Sequence, residues 1–425
     1  MTHVRGFDKI FETMYGDKKE ELNRQTERYA RLVQKFGTKF GPAEIHFFST
    51  PGRTEIGGNH TDHNLGRVLA GSVNLDSVAA AAKTESAKIQ LYSDGFPGVF
   101  EVDLSRLERV DAERGTTTAL IRGIASRFQQ LGLTIGGFNA WVHSEVLQGS
   151  GLSSSASIEV LIGTILNYYY NDGAVAPEKI AMVGQYAENE YFGKPCGLMD
   201  QTACAVGGII TIDFKDPSLP VVKKVDFNFA AQHYSLVVVD TGGNHADLTD
   251  DYAAVPREMK SVAAALGGKV CRDLDMAQLV TTMRTLREKV GDRAIVRAIH
   301  FLQDNERVSE QVTALEQGDF HRFLELVNAS GNSSFKWLQN IYTVKNVREQ
   351  GVTLALALTE KYLGEIGAGA CRVHGGGFAG TIQVFLPDET VAGYQRMMEQ
   401  VFGDNSVKAL SIRPVGTVHV GRLDQ

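Results

Sequence analysis

Four segments of the chain combine residue types suited to chemistry on phosphates and hydroxyls. The first is Gly149-Ser150-Gly151-Leu152-Ser153-Ser154-Ser155-Ala156, small residues that lead into the apolar run ending at Tyr170. Glycines let backbone approach an anion closely, the unpaired amides of a helix start point at it, and serine hydroxyls donate to phosphate or coordinate a cation. Such a loop is a phosphate cradle. It lacks the GK[ST] ending of a Walker A loop, and no HRD or DFG segment of a protein kinase accompanies it. The second, Gly375-Gly376-Gly377-Phe378-Ala379-Gly380, matches G-x-G-x-x-G literally. A dinucleotide site needs a helix after those glycines, whereas Thr381 to Phe385 reads as a strand, so the segment suits a tight turn or a second backbone wall beside the phosphates.

The third segment, Pro51-Gly52-Arg53-Thr54-Glu55-Ile56-Gly57-Gly58-Asn59-His60-Thr61-Asp62-His63-Asn64, crowds hydrogen-bonding side chains into a glycine-punctuated stretch, as recognition of a polyhydroxylated ligand requires. His60, Asp62 and His63 also raise a metal-hydrolase reading, the weakest of the alternatives because no matching ligand cluster follows. The fourth runs from Glu188 to Gln201 through Phe192-Gly193-Lys194-Pro195-Cys196-Gly197-Leu198-Met199-Asp200. Its carboxylates suit a base for a hydroxyl or a ligand for a cation. Each segment alone is more often an ordinary loop; the combination points to phosphate and hydroxyl chemistry in one protein.

These segments must be positioned by a mixed scaffold. Leu22, Tyr29, Leu32, Val33 and Phe36 recur at helical spacing, which predicts an amphipathic helix over 19–36. Short β-type runs follow at 44–49, 68–73, 88–92 and 138–143, and the run from Ser153 to Tyr170, apolar on nearly every side, predicts a buried helix. Strands are expected at 207–214 and 235–240, separated by Asp216-Pro217-Ser218-Leu219-Pro220, which reads as a hinge. Helices are expected over 256–266, 276–290 and 293–326, the last broken at Gly318, and strands over 370–374 and 381–386. The expected division is 1–215 and 216–425.

Composition narrows the function classes. The chain has 425 residues, 43% apolar and 22% charged, which suits a folded globular protein. Its 43 Lys and Arg against 50 Asp and Glu leave a net charge of -7, opposing general attraction to nucleic acid. Four scattered cysteines without a CxxC pair suit a reducing cytoplasm, and no stretch reaches the ~18 apolar residues of a membrane span. A soluble cytoplasmic protein, with neither nucleic acid nor membrane as partner, is expected.

Taken in order, PGR…GGNHTDHN, GSGLSSSAS, AENEYFGKPCGLMDQ and HGGGFAG resemble the sugar-binding signature, phosphate loop, catalytic segment and third glycine motif of the galactokinases of the GHMP small-molecule kinase superfamily. The resemblance implies an α+β, two-lobed GHMP kinase fold, with an N-terminal ribosomal-protein-S5-like lobe and a C-terminal ferredoxin-like lobe. ATP and sugar would lie between them, in a monomer or weak homodimer. It implies phosphates held by Gly149, Ser150, Gly151, Leu152, Ser153, Ser154 and Ser155 with Gly376 and Gly377, and Mg²⁺ held by Ser154 or a neighbouring serine and by Glu188. Asp200 would be the base at the anomeric hydroxyl, with Arg53 beside it, and Asn59, His60, Asp62, Gly197 and Tyr252 would line the sugar.

The departures are specific. Asn59 stands where the family usually has a glutamate at the sugar's C6 hydroxyl, His63 where it has tyrosine, Glu55 where it has asparagine, and His374 where it has threonine. Gly242 to His245 replace a more basic stretch. Loss of a carboxylate at position 59 would ease entry of a C6 carboxylate, making galacturonate a rival to galactose, alongside N-acetylgalactosamine and L-arabinose. A non-catalytic sugar and ATP sensor is the rival of another class.

Overall fold

The computed structural model describes residues 6–146, 151–243 and 248–423. Its first sheet has eight strands: β1 (His46–Gly57), β2 (Arg67–Lys83), β3 (Lys88–Ser93), β4 (Phe100–Asp103), β5 (Phe138–Ser144), β6 (Ile209–Asp213), β7 (Val221–Val225) and the last strand of the chain, β12 (Val418–Arg422). The path runs β12-β1-β2-β5-β3-β4, with β6 on the other end of the long β2 and β7 beyond it. Side chains of a strand alternate between faces, and here both faces are covered. Phe47, Val78, Ala80 and Ala82 pack beneath helices α1 (Asp8–Tyr15) and α2 (Lys19–Phe40). Phe48, Ala79 and Ala81 meet α3 (Thr117–Gln130), α4 (Ser154–Tyr170) and α5 (Pro177–Tyr186) on the opposite face. Short alanine side chains on β2 let both layers close on the strand. α6 (Met199–Val206) packs with α4 and α5 against β2 and β6.

The second sheet is antiparallel, in the order β11 (Val407–Leu410), β8 (Tyr234–Asp240), β10 (Thr381–Pro387), β9 (Ala370–His374). Apart from the helices of residues 249–333 inserted after β8, and with α11 (Gly351–Ile366) before β9 and α12 (Val391–Phe402) before β11, the chain traces β8-α11-β9-β10-α12-β11. This is the split βαβ path of a ferredoxin-like lobe, as expected. α11 and α12 cover one face through Val352, Ala355, Tyr394 and Met398. The other face meets α9 (Asp292–Glu316) and α10 (Phe320–Ser333), whose Val308, Phe323 and Val327 share a core with Ile56 and Leu69 of the first sheet. α7 (Thr249–Ala265) and α8 (Met276–Val290) pack on α9.

The 19–36 helix extends to Phe40, and the long 293–326 helix breaks near Gly318 into α9 and α10. Two expectations need correction. Asp216 to Pro220 do not form a hinge between lobes: they join the antiparallel partners β6 and β7 within the first sheet. The expected division at 215/216 therefore cuts a hairpin, and β12, near the end of the chain, returns to β1 in the first sheet. Turn residues mark that the chain reverses, not which strand it next pairs with.

A buried ion cluster locks this arrangement. Asp76 on β2 accepts from Arg28 on α2 (2.6 Å), Arg413 (3.1 Å), Tyr15 on α1 (2.7 Å) and Ser49 on β1. Arg28, Asp76 and Arg413 are all fully buried. One carboxylate thus joins the N-terminal helices, two strands and the returning C-terminal segment.

Candidate active site

Arg53 and Asp200 form the centre. β1 carries Arg53 inward, and Asp200 sits in the first turn of α6. Arg53 Nε donates to Asp200 Oδ1 (2.7 Å) and Nη2 to Oδ2 (3.0 Å), a bidentate pair that fixes both side chains. Ser153 Oγ also donates to Asp200 Oδ2. Burial alone would raise the Asp200 pKa, but the Arg53 charge and the Arg53 and Ser153 hydrogen bonds hold it below the ordinary carboxylate range. Asp200 is therefore an anion at neutral pH.

The expected loop-to-helix junction is present from Gly151 onward; Gly149 and Ser150 lie outside the described residues. Ser153 precedes α4 in a left-handed conformation, φ 61°. His60 (φ 59°) and Phe378 (φ 60°) share that conformation, so three of the chain's motifs hold backbone in a region disfavoured for L-residues. Leu152 O accepts from Arg53 N (3.1 Å), and Arg53 Nη1 donates to Gly151 O, which ties the loop to the Arg53–Asp200 pair. Gly151 has φ +71°, and a Cβ there would lie 2.5 Å from Thr381 Oγ1 and 2.9 Å from His374 Nδ1. Gly151→Ala is expected to lower kcat/KM for ATP by about tenfold or more, given ~1–3 kcal/mol of backbone strain. An unchanged value would show that the loop does not need this close packing.

Glu188, in a π-type turn after α5, is 2% exposed. Its Oε1 accepts from Ser155 Oγ (3.1 Å) and Lys194 Nζ (3.4 Å), and its Oε2 from Gln201 Nε2 (2.9 Å). Ser155, rather than Ser154, is thus the serine hydrogen-bonded to Glu188. Gln201 Nε2 also donates to Glu159 (3.0 Å), a buried carboxyl on α4 that the motif reading did not single out. Burial, then the charge of Glu188, raises the Glu159 pKa well above its usual value.

The third segment turns sharply after β1. His60 Nε2 donates to Gly376 O (2.8 Å), which leaves Nδ1 as an acceptor; that atom is buried with no partner among the described residues. Burial, with the neighbouring His63, pushes the His60 pKa down to about 3, so the ring is neutral. Asp62 lies against Gly197, where a Cβ would sit 2.0 Å from Asp62 Oδ2, so only glycine fits there. Tyr252 on α7 donates to Gly377 O (2.9 Å), and a Cβ on Gly376 would sit 2.7 Å from the Tyr252 ring. The turn from Gly375 to Gly380 joins β9 to β10, so a strand and not a helix follows its glycines, which excludes a dinucleotide fingerprint.

Asn59 requires a correction. Its side chain is fully buried: Nδ2 donates to Glu55 Oε1 (2.9 Å) and Gly375 O (2.8 Å), while Oδ1 accepts from Asn340 (2.8 Å) and Ser334 (3.2 Å). An amide has two donors and two acceptor sites, so none remains for a sugar. Its backbone is held by Asp304 (3.0 Å) and His300 (2.9 Å) of α9, some 240 residues away in sequence. His374 is also internal: Glu55 N donates to Nε2 (3.3 Å) and the ring bonds Thr381 Oγ1 through Nδ1 (3.0 Å). Among the described residues no three His, Cys, Asp or Glu side chains are grouped to hold a metal.

A phosphate-loop helix, a bidentate arginine and carboxylate pair, and a glycine wall contributed by a ferredoxin-like second lobe define a small-molecule kinase of the GHMP class. Residues 119–208 match the GHMP kinases N terminal domain, and residues 34–83 match the galactokinase galactose-binding signature. The chain is 30% identical over 382 residues to a galactokinase of Streptomyces coelicolor, covering 88% of this chain and 93% of the relative. It is 29% identical over 381 residues to that of Lactococcus lactis subsp. lactis, covering 87% and 90%. The crystal structure of Lactococcus lactis galactokinase complexed with galactose superposes with a TM-score of 0.78 at 26% identity, covering 92% of this chain and all of that one. A mevalonate kinase structure, 16% identical with a TM-score of 0.61 over 86% of this chain and 98% of that chain, shares the fold. The chain belongs to the galactokinase family.

Proposed function

We propose that the protein transfers the γ-phosphoryl group of ATP to the anomeric hydroxyl of galactose. The observation that carries this reading is the Arg53–Asp200 pair, bidentate at 2.7 and 3.0 Å and tied through Ser153 to the start of α4. A hydroxyl placed against Asp200 finds a fixed anionic acceptor for its proton. Arg53, the loop amides from Gly151 and the serine hydroxyls of α4 offer positive charge and donors to the transferring phosphoryl group. Asp62, Gly197, His60 and Tyr252 surround the sugar in this reading, supported for His60 and Asp62 by the match of residues 34–83 to the galactokinase galactose-binding signature.

Ser155 Oγ and a Glu188 oxygen lie 3.1 Å apart, a pair of hard oxygen donors of the kind Mg²⁺ takes when phosphates and water complete its shell. Bound there, Mg²⁺ would neutralise charge on the ATP phosphates. All four cysteines are free thiols, and no helix among the described residues is long and apolar enough to cross a membrane; both suit work in the cytoplasm.

The test is ADP release with ATP and Mg²⁺ across galactose, galacturonate, N-acetylgalactosamine, L-arabinose and glucose, repeated with EDTA. Galactose is expected to be turned over with the highest kcat/KM, and chelation to abolish the rate. Sugar and ATP binding without turnover on any sugar would favour a sensor instead.

A further inference from the structure

The carboxylate absent from position 59 has not left this part of the molecule. It stands at position 55, where Glu55 Oε1 accepts from both Asn59 Nδ2 (2.9 Å) and Arg372 Nη2 (2.8 Å). The Asn59 amide orientation is forced, because both neighbours of its Nδ2 are acceptors. Arg372 is fully buried and also donates to Ile56 O (2.8 Å), so it anchors Glu55 from the second lobe. Glu55 is 5% exposed, its Oε2 accepts from no described residue, and that oxygen is not among the sealed, partnerless atoms of the interior. Arg53 and Glu55 occupy alternate positions of β1 in continuous register with Ser72 and Ala70, so they share one face of the strand. A buried carboxylate with one oxygen anchored and the other uncommitted, beside the Arg53–Asp200 centre, is a ligand-reading arrangement.

We propose that Glu55, anchored by Arg372 and Asn59, accepts a hydrogen bond from one galactose hydroxyl remote from the reacting one and so sets sugar specificity. Residues 55 and 59 have exchanged side-chain types, and with them the reading and supporting roles. One consequence reverses the expectation drawn from Asn59 alone. Burial raises the Glu55 pKa, while the Arg372 and Arg53 charges and the Asn59 hydrogen bond favour its ionised form; a carboxylate facing the sugar repels a sugar carboxylate, so galacturonate is a poor substrate.

This inference rests on the proposed galactose kinase activity, and wild-type turnover of galactose is the control that separates the two. Without it the activity assignment fails; with it the following measurements judge Glu55. kcat/KM is measured for galactose and its 2-, 3-, 4- and 6-deoxy analogues with wild type, with Glu55→Gln, and with the double exchange Glu55→Asn plus Asn59→Glu. Glu55→Gln is expected to lose about tenfold or more on galactose but little on one deoxy sugar, the one that wild type already discriminates against by a similar factor. KM for ATP should be unchanged. The double exchange keeps one carboxylate in the cluster and should recover galactose use. Equal losses of Glu55→Gln on every sugar, no loss on any, or wild-type galacturonate turnover matching that of galactose would overturn the proposal. Should Glu55→Gln not fold, the double exchange and the galacturonate comparison still decide it.

Discussion

Asp200→Asn is expected to reduce kcat by about a thousandfold or more while ATP still binds, since a positioned general base contributes about 10²–10⁴ and its hydrogen bonds also hold Arg53. The amide cannot take a proton, and one of its ends would present N–H groups to the Arg53 guanidinium, breaking the bidentate pair at 2.7 and 3.0 Å. Ser155 and Glu188 keep their hydrogen bond without Asp200, and Ser153 can still donate to the amide oxygen that asparagine retains, so nucleotide binding should survive. The lowered pKa of Asp200 bears on timing. A weak base accepts a proton late, once the attacking oxygen has begun to bond phosphorus and become acidic, which suits a loose phosphoryl-transfer transition state. Because the group stays ionised as pH falls through the usual carboxylate range of about 3.9, the acid limb of kcat should lie below that range if the protein remains folded. Calorimetry of ATP binding and single-turnover rates separate the two effects. Turnover above about a tenth of wild type would remove Asp200 from the role of base.

How far the sequence carried the reading depended on whether a feature was local. The α4 start, the β9–β10 glycine turn and the helix pair broken near Gly318 were legible because glycine, serine and hydrophobic spacing act over a few residues. The nearness of Arg53, Ser153, Asp200 and Gly376 came from the family resemblance of the motifs, not from spacing, since these residues are far apart in the chain. What escaped were pairings across hundreds of residues. Nothing near Asn59 announces that Asn340, Asp304 and His300 will use up its side chain and backbone, or that Arg372 will hold Glu55. A departure read one position at a time suggested lost charge, whereas the contact between Asn59 and Glu55 keeps a carboxyl group beside that position. The strand β7 was missed for a related reason: Val221 to Val225 carry two lysines and are largely exposed, so an edge strand showed little hydrophobic pattern.

Asp76→Asn is expected to destabilise the fold by about 3–5 kcal/mol, because breaking a buried ion cluster leaves uncompensated charge in the interior. Arg28 and Arg413 both converge on this one carboxylate, and all three groups are fully buried. The asparagine is nearly isosteric and can still accept from one arginine, so the loss is electrostatic rather than a cavity. The same cluster sets an acid dependence. Burial would raise the Asp76 pKa, but Arg28, Arg413, Ser49 and Tyr15 lower it below the ordinary value. The unfolded chain takes up this proton near the usual pKa of about 3.9, and the folded chain only at lower pH. The Asp76 contribution is therefore complete above the unfolded pKa and is lost as pH falls through the folded one. Urea unfolding of wild type and variant between neutral pH and about pH 3.5 should show a gap that narrows with acidity, with similar m-values. A gap under about 1 kcal/mol at neutral pH would mean that the Ser49 and Tyr15 hydrogen bonds, which asparagine can keep in part, hold this junction instead of the charges. Because Ser157 of α4 bonds both Thr50 O (3.0 Å) and Ser77 Oγ (2.9 Å), the residues flanking Ser49 and Asp76 also anchor the phosphate-loop helix. Loosening this cluster should therefore raise KM for ATP before it unfolds the chain.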